Sequence, residues 1–227
     1  QYLVSDNFAM AKNTTLTIKP GVVLEFSDGK SIKIQGNIIS EGTKDSLITL
    51  KPENVYWNGI EFGSESGKGK FKYTRISGVK STPYLFYNKT KTSLYVENCI
   101  FFNNDAQIVW LSWNSDNTFD DDFYYLEIQK SNFIESNFDF TNNHGNYPYQ
   151  NSNIINNSEV VEFNLSGNMN DRYIPFKQNN VFNNNKKSIR NDSQGDGILP
   201  PNYFGSSKMS IINSNVQDYF EIPGRGI

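Results

Sequence analysis

The chain has one cysteine and one histidine in 227 residues. Cys99 alone excludes an intrachain disulfide. Cys99 and His144 together cannot supply a usual structural zinc site, which takes four nitrogen or sulfur ligands. No apolar run approaches the length a membrane-spanning helix needs. No segment carries a convincing 3.6-residue apolar period, so almost no helix is expected. No basic cluster exceeds Lys186-Lys187, and 21 basic against 24 acidic residues leave a formal net charge of −3. That balance gives no electrostatic case for a nucleic-acid partner. The chain opens at Gln1 without a signal-peptide pattern, as expected of a mature or excised segment.

What the chain does have is a recurring unit. Cys99-Ile100-Phe101-Phe102-Asn103-Asn104, Asn132-Phe133-Ile134-Glu135-Ser136-Asn137, Asn153-Ile154-Ile155-Asn156-Asn157-Ser158 and Asn180-Val181-Phe182-Asn183-Asn184-Asn185 share one pattern. Two apolar residues are followed by a variable residue and two of Asn or Ser. The offsets are 33, 21 and 27 residues, a range that points to a solenoid. An apolar pair bounded by Asn fits a short strand reaching a corner, because Asn tolerates the left-handed backbone region. Stacked coils would stack these amides into an asparagine ladder, with strands about 4.8 Å apart. The 32 Asn of the chain make some coincidence inevitable, but Phe, Ile and Val at matched positions argue against disorder.

Short alternating strands fill the first third. Thr15-Leu16-Thr17-Ile18-Lys19 is followed by a Pro20-Gly21 turn, and Val22-Val23-Leu24-Glu25-Phe26 by Asp28-Gly29. Ile32-Lys33-Ile34-Gln35-Gly36, Asn37-Ile38-Ile39, Leu47-Ile48-Thr49-Leu50 and Trp57-Asn58-Gly59-Ile60-Glu61-Phe62-Gly63 continue the series, and Phe71–Gly78 reads as strand and corner. Gly67-x-Gly69 is expected to turn. Residues 79–93 read as a loop extending outward, 105–130 as the largest insertion, with Tyr124-Tyr125-Leu126-Glu127-Ile128 returning to strand pattern, and 138–150 and 164–175 as further long connections.

The wording Leu16-x-Ile18-x-Pro20-Gly21-Val22-x-Leu24-x-Phe26, then Gly36, Gly42-Thr43 and Trp57-x-Gly59-Ile60-x-Phe62, resembles the opening of right-handed parallel β-helix repeat proteins. These are the pectate-lyase-like solenoids, especially their bacterial cell-surface members. Asn202-Tyr203-Phe204-Gly205 is similar to that group's Asn-Tyr-Trp-Gly, with Phe for Trp, and Ile211-Ile212 and Val216-x-Asp218-Tyr219 resemble its closing segment. The resemblance covers roughly residues 14–222. It implies an all-β, right-handed parallel β-helix of nine or ten coils, each burying apolar side chains against its neighbours. Residues 1–13 would be a lead-in covering the first coil, 14–200 the coils with insertions, and 201–227 a closing segment and the start of a linker. A fragment of a larger protein is expected.

The fold hosts lyases, hydrolases, adhesins and inert stalks, so activity must come from a site. Asp116, Asp120, Asp121 and Asp122 form an acidic group suited to Ca²⁺, a hard ion that prefers carboxylate oxygens, or else a solvated loop. The EF-hand spacing is absent, and calcium is the single cofactor considered. Trp110, Trp113, Tyr124, Tyr125, Tyr147 and Tyr149 could stack on sugar rings, or pave the interior and roof the loops. Arg75, Arg172 and Arg190 lie outside any lyase motif, and Asn143-His144 departs from the Gly-His-Gly of galacturonases, so no catalytic residue is assigned. Cys99, within an apolar run, reads as a small buried hydrophobe. Five sequons, at Asn13, Asn88, Asn156, Asn164 and Asn191, are near what this composition gives by chance. The reading is a non-catalytic domain of a secreted or surface-anchored protein. It would serve adhesion, bind glycan or another surface protein, or act as a spacer. A polysaccharide lyase or glycoside hydrolase is the alternative.

Overall fold

A computed structural model describes residues 1–63, 68–80, 84–88, 93–105, 107–111 and 125–136, and beyond these the strands given below; side chains are described for residues 1–63, 68–80, 93–105 and 128–136. It is all-β, with no helix among the described residues, and every strand-to-strand pairing in its sheets is parallel. Sheet A stacks β1 (Tyr2–Val4), β4 (Val23–Phe26), β7 (Ile48–Pro52), β10 (Thr74–Ser77), β13 (Ile100–Phe102), β16 (Asn132–Ile134), β19 (Asn153–Ile155) and β23 (Asn180–Phe182). Sheet B stacks β2 (Phe8–Met10), β5 (Ile32–Ile34), β8 (Ile60–Phe62), β11 (Tyr84–Asn88), β14 (Gln107–Leu111) and β17 (Phe140–Thr141). Sheet C stacks β3 (Thr15–Ile18), β6 (Asn37–Glu41), β9 (Lys68–Lys72), β12 (Ser93–Glu97), β15 (Tyr125–Gln129), β18 (Tyr149–Gln150) and β22 (Phe176–Lys177). Two smaller sheets hold β20 (Val161–Phe163), β24 (Ile189–Asn191) and β26 (Val216–Asp218), and β21 (Arg172–Tyr173) with β25 (Gly197–Ile198).

The chain therefore visits A, B and C in rotation and returns one rung further on. This is a parallel β-solenoid. Sheet A counts eight rungs among the described residues, and β24 pairs with β26 further along the chain than its last strand; the repeat is uneven. Leu24 stacks on Tyr2 after 22 residues, Thr74 on Ile48 after 26, and Asn132 on Ile100 after 32.

Period-two alternation fixes which side chains enter the coil. In sheet A, Leu50, Ile76, Phe101 and Phe133 occupy one inward register column and are fully buried. In sheet B, Ile32 over Ile60 and Ile34 over Phe62 do the same. Each such side chain contributes roughly 1.5–3 kcal/mol by leaving water. Trp57, next to β8, is fully buried, stacks on Phe26 at 4.1 Å between centroids, and donates Nε1–H to Ser77 O at 2.9 Å. The Pro20-Gly21 turn also forms: Val22 N–H reaches Lys19 O at 3.2 Å, and Gly21 has the positive φ of 76° that a type II turn requires.

The strands of the four recurring Asn units, β13, β16, β19 and β23, all lie in sheet A. Asn132, Asn153 and Asn180 are successive partners, as their offsets of 21 and 27 require. The first unit needs correction. Ile100, not Cys99, pairs with Asn132, so its offset is 32 rather than 33. The inward Phe decides this, because a one-residue slip would turn Phe101 outward.

Several expected outward connections are rungs. Residues 79–93 contain β11 and the start of β12, and residues 105–130 contain β14; β15 there matches the strand pattern expected of Tyr124–Ile128. Residues 138–150 contain β17 and β18, and residues 164–175 contain β21. Gly69, expected in a turn, lies in the middle of β9; a Cβ there would meet Leu94 Cδ1 and Phe62 Cζ, each at 2.8 Å. Residues 2–10 of the expected lead-in form β1 and β2, the outermost strands of sheets A and B.

Candidate functional site

Two sharp corners flank sheet A, and both repeat from rung to rung. Tyr73, Asn98 and Lys130 enter it with φ of 46°, 54° and 51°; Asn103 and Glu135 leave it with 52° and 49°. The left-handed region suits Asn best among non-glycine residues, yet Tyr73, Lys130 and Glu135 adopt it here, each beside an Asn that makes the same bend on a neighbouring rung. After the first corner comes a buried residue that caps the carbonyl two positions back. Thr74 Oγ1 reaches Lys72 O at 3.1 Å, Ser131 Oγ reaches Gln129 O at 2.9 Å, and Cys99 Sγ reaches Glu97 O at 3.4 Å. Cys99 thus fills a Thr/Ser position. Its thiol is fully buried, and burial pushes its pKa up to about 12, so it is no nucleophile. At the second corner Asn104 is buried, donating to Ile76 O at 3.2 Å and accepting from Val79 N–H at 3.0 Å. Its own N–H goes to Ser136 Oγ at 3.3 Å. The described corners are therefore mixed columns, with Asn stacked on Tyr, Lys, Glu or Ser.

The outer face of sheet C carries the most developed group of polar side chains in the described part. In β9, Gly69 and Phe71 are buried while Lys68 and Lys70 are exposed and Lys72 is half-buried. Alternation puts the three lysines on one face. The register sets Ser93 opposite Lys68, Tyr95 opposite Lys70 and Glu97 opposite Lys72. These residues line a surface groove of about 410 Å³.

Glu97 is the anchor of the groove. Its side chain is 11% exposed. Oε2 accepts from Lys72 Nζ at 2.9 Å and from the Tyr95 hydroxyl at 3.1 Å, and Oε1 accepts from Lys130 Nζ at 3.3 Å. Gln129 Nε2–H in turn donates to the Tyr95 hydroxyl at 2.9 Å. The Lys72 hydrogen bond, ahead of partial burial that acts the other way, holds the Glu97 carboxyl below its ordinary value. The same bond raises the Lys72 ammonium. Glu97 is thus a fixed carboxylate that locks the Tyr95 ring and Lys72 in place. Lys70 pairs with Glu41 at 2.6 Å, both side chains being about half exposed.

Other outward faces are laced from rung to rung. Lys51 meets Glu25 at 2.7 Å, and Lys33 meets Glu61 at 3.3 Å. Arg75 lies on the outer face of sheet A over the Phe102 ring, 5.3 Å from its centroid, away from the groove.

Of the residues singled out from sequence, Trp110 lies in β14, Tyr125 in β15 and Tyr149 in β18, and their side chains fall outside the described ones. Trp113, Tyr124, Tyr147, His144 and the acidic group Asp116, Asp120, Asp121 and Asp122 lie outside the described residues altogether. The groove residues were not anticipated. Their signal was Lys68-x-Lys70-x-Lys72 one rung from Ser93-x-Tyr95-x-Glu97, legible only once the 25-residue register is known.

The architecture is that of parallel β-solenoid repeat proteins. No family model matches the chain, and no solved structure matches it. A stretch of 69 residues, 30% of the chain, is 40% identical to Protein bark beetle of Drosophila melanogaster. That stretch is 2% of the length of the fly protein, so the chain spans a small part of this curated relative. Among the described residues no helix is long and apolar enough to cross a membrane.

Proposed function

We propose that the chain is a non-catalytic β-solenoid segment of a larger secreted or surface-anchored protein, similar to the pectate-lyase-like solenoids of bacterial surfaces. It acts in adhesion, presenting an outer face to glycan or to another surface protein while its stacked rungs serve as a stiff spacer. The observation that carries this reading is the state of Glu97. The carboxylate has both oxygens taken by Lys72, Lys130 and Tyr95. Its depressed pKa makes it a poor general acid or base at neutral pH. It holds Lys72 and the Tyr95 hydroxyl in place on the outer face of sheet C. The stacking of parallel rungs along one axis supports the spacer role, since each rung contacts its neighbours and adds length.

The test is a turnover assay of the whole chain on a panel of neutral and acidic polysaccharides, with and without added calcium. No new chain ends are expected on any of them. Sustained product formation would replace this reading with the lyase or hydrolase one.

A further inference from the structure

We propose that the outer face of sheet C binds an anionic saccharide, one carrying carboxylate or sulfate groups, in the groove formed by Lys68, Lys70, Lys72, Ser93 and Tyr95. The inference rests on the reading of the chain as a binding surface and names the ligand class that this face takes.

Three observations converge. First, the lysines recur every second residue of one strand, which spaces their stems about 7 Å apart along a line. Such a row matches a polymer with repeated negative charges better than it matches one compact anion. Second, the groove carries excess positive charge although the whole chain is net negative: three lysines line it, against Glu97 in the lining and Glu41 on the neighbouring strand. Lys68 makes no side-chain ion pair among the described residues. Lys72 spends one of its three donors on Glu97 and keeps two. The half-exposed Lys70–Glu41 pair is of the kind that contributes little and exchanges readily for another anion. Third, Tyr95 stands opposite Lys70 with its hydroxyl held by Gln129 and Glu97. A fixed ring beside ammonium groups gives a sugar an apolar face to rest on while its acid groups meet the lysines. The volume of about 410 Å³ falls within the range of small-ligand clefts.

The experiment is calorimetric titration of the whole chain with three oligosaccharides of equal length: a sulfated heparin fragment, an oligogalacturonate and a neutral maltose oligomer. Binding of one or both anionic oligomers is expected, weakening as salt rises, with none of the neutral one. The two anionic arms decide between sulfate and carboxylate. The double variant Lys68→Gln, Lys70→Gln should weaken binding at least tenfold. Lys33→Gln, which removes a lysine of similar exposure from sheet B, should leave it unchanged. The proposal is overturned by absent anionic binding, by equal binding of the neutral oligomer, or by equal losses in the two variants. Cleavage of a bound oligomer would sink the non-catalytic reading and leave the groove standing. Absent binding without cleavage would do the reverse.

Discussion

Phe101 lies flat on Phe133 one rung away, with ring centroids 4.6 Å apart and planes within 2° of parallel. Both rings are fully buried and share one register position in sheet A. A solenoid repeats such a contact along its axis, so the loss of one ring is felt by both neighbouring rungs. Phe133→Ala should cost about 3–5 kcal/mol, the usual range for emptying a buried Phe site. Phe133→Leu, which keeps most of the volume, should cost less than about 1.5 kcal/mol. Urea unfolding midpoints of the two variants test this, and equal midpoints would contradict the stacking account.

The buried side-chain amide of Asn104 ties its own rung to the backbone of the one before, at Ile76 O and Val79 N–H. Asn104→Ala would leave Ile76 O and Val79 N–H without that partner, at roughly 1–3 kcal/mol for each group stranded. Asn104→Asp should be worse at neutral pH, because a carboxylate oxygen would replace the donor that faces Ile76 O. Acidification should narrow the gap between the two variants, as a protonated carboxyl can donate. Thermal midpoints across pH distinguish this from simple loss of volume.

Gly36 lies against the backbone of the preceding coil. A Cβ there would run into Thr14 O and sit 2.9 Å from Ala11 O. Both contacts are backbone, so neither can swing away. Gly36→Ala should destabilise by roughly 1–3 kcal/mol, the cost of overpacking. Amide exchange should show the loss concentrated in β3 and β6, which pair across this point. An unchanged exchange pattern would mean that the coil shifts freely to make room.

Glu97 sets a pH window. Its folded pKa lies below the ordinary 4.5, with the Lys72 hydrogen bond the first cause. The stability it contributes is therefore complete above that ordinary value and is lost as pH falls through the lower folded value. Lys72 has the opposite sign. Raised above its ordinary 10.5 by the same bond, it contributes fully below 10.5 and loses that contribution as pH rises through the folded value. Glu97→Gln should flatten both limbs of the thermal midpoint profile relative to the wild-type chain. A variant profile that keeps the acid limb unchanged would assign that limb to other carboxylates, with Glu25, lowered by Lys51 and Gln1, the first to examine.

The legible part of the sequence was local. Alternation in Ile32-Lys33-Ile34 and the Pro20-Gly21 turn announced short strands, and the Asn-apolar units announced stacking. Three of those four units stack in the register that their spacing gives. The fourth was misplaced by one residue because Ile100-Phe101-Phe102 offers three apolar residues for one inward slot, and only contact with Phe133 selects the middle one. Tyr84–Asn88 was read as a connection because Pro83 and the surrounding Thr and Lys suggested a loop. In the structure it is β11, with Phe86 in register with Ile60 in sheet B.

What the sequence settled unaided was the kind of object: many short β-strands, too few cysteines and histidines for a disulfide within the chain or a usual structural zinc site, and repeats at solenoid spacing. Those properties follow from side-chain periodicity and backbone preference, which act over a few residues. The tertiary structure decided which coil meets which, and with it the groove, the clamp on Glu97 and the role of Cys99 as a stand-in for Thr or Ser. These depend on bringing together residues 25 to 34 positions apart, such as Lys72 with Glu97 and Gln129 with Tyr95. The uneven coil lengths hide such spacings until the rungs are aligned.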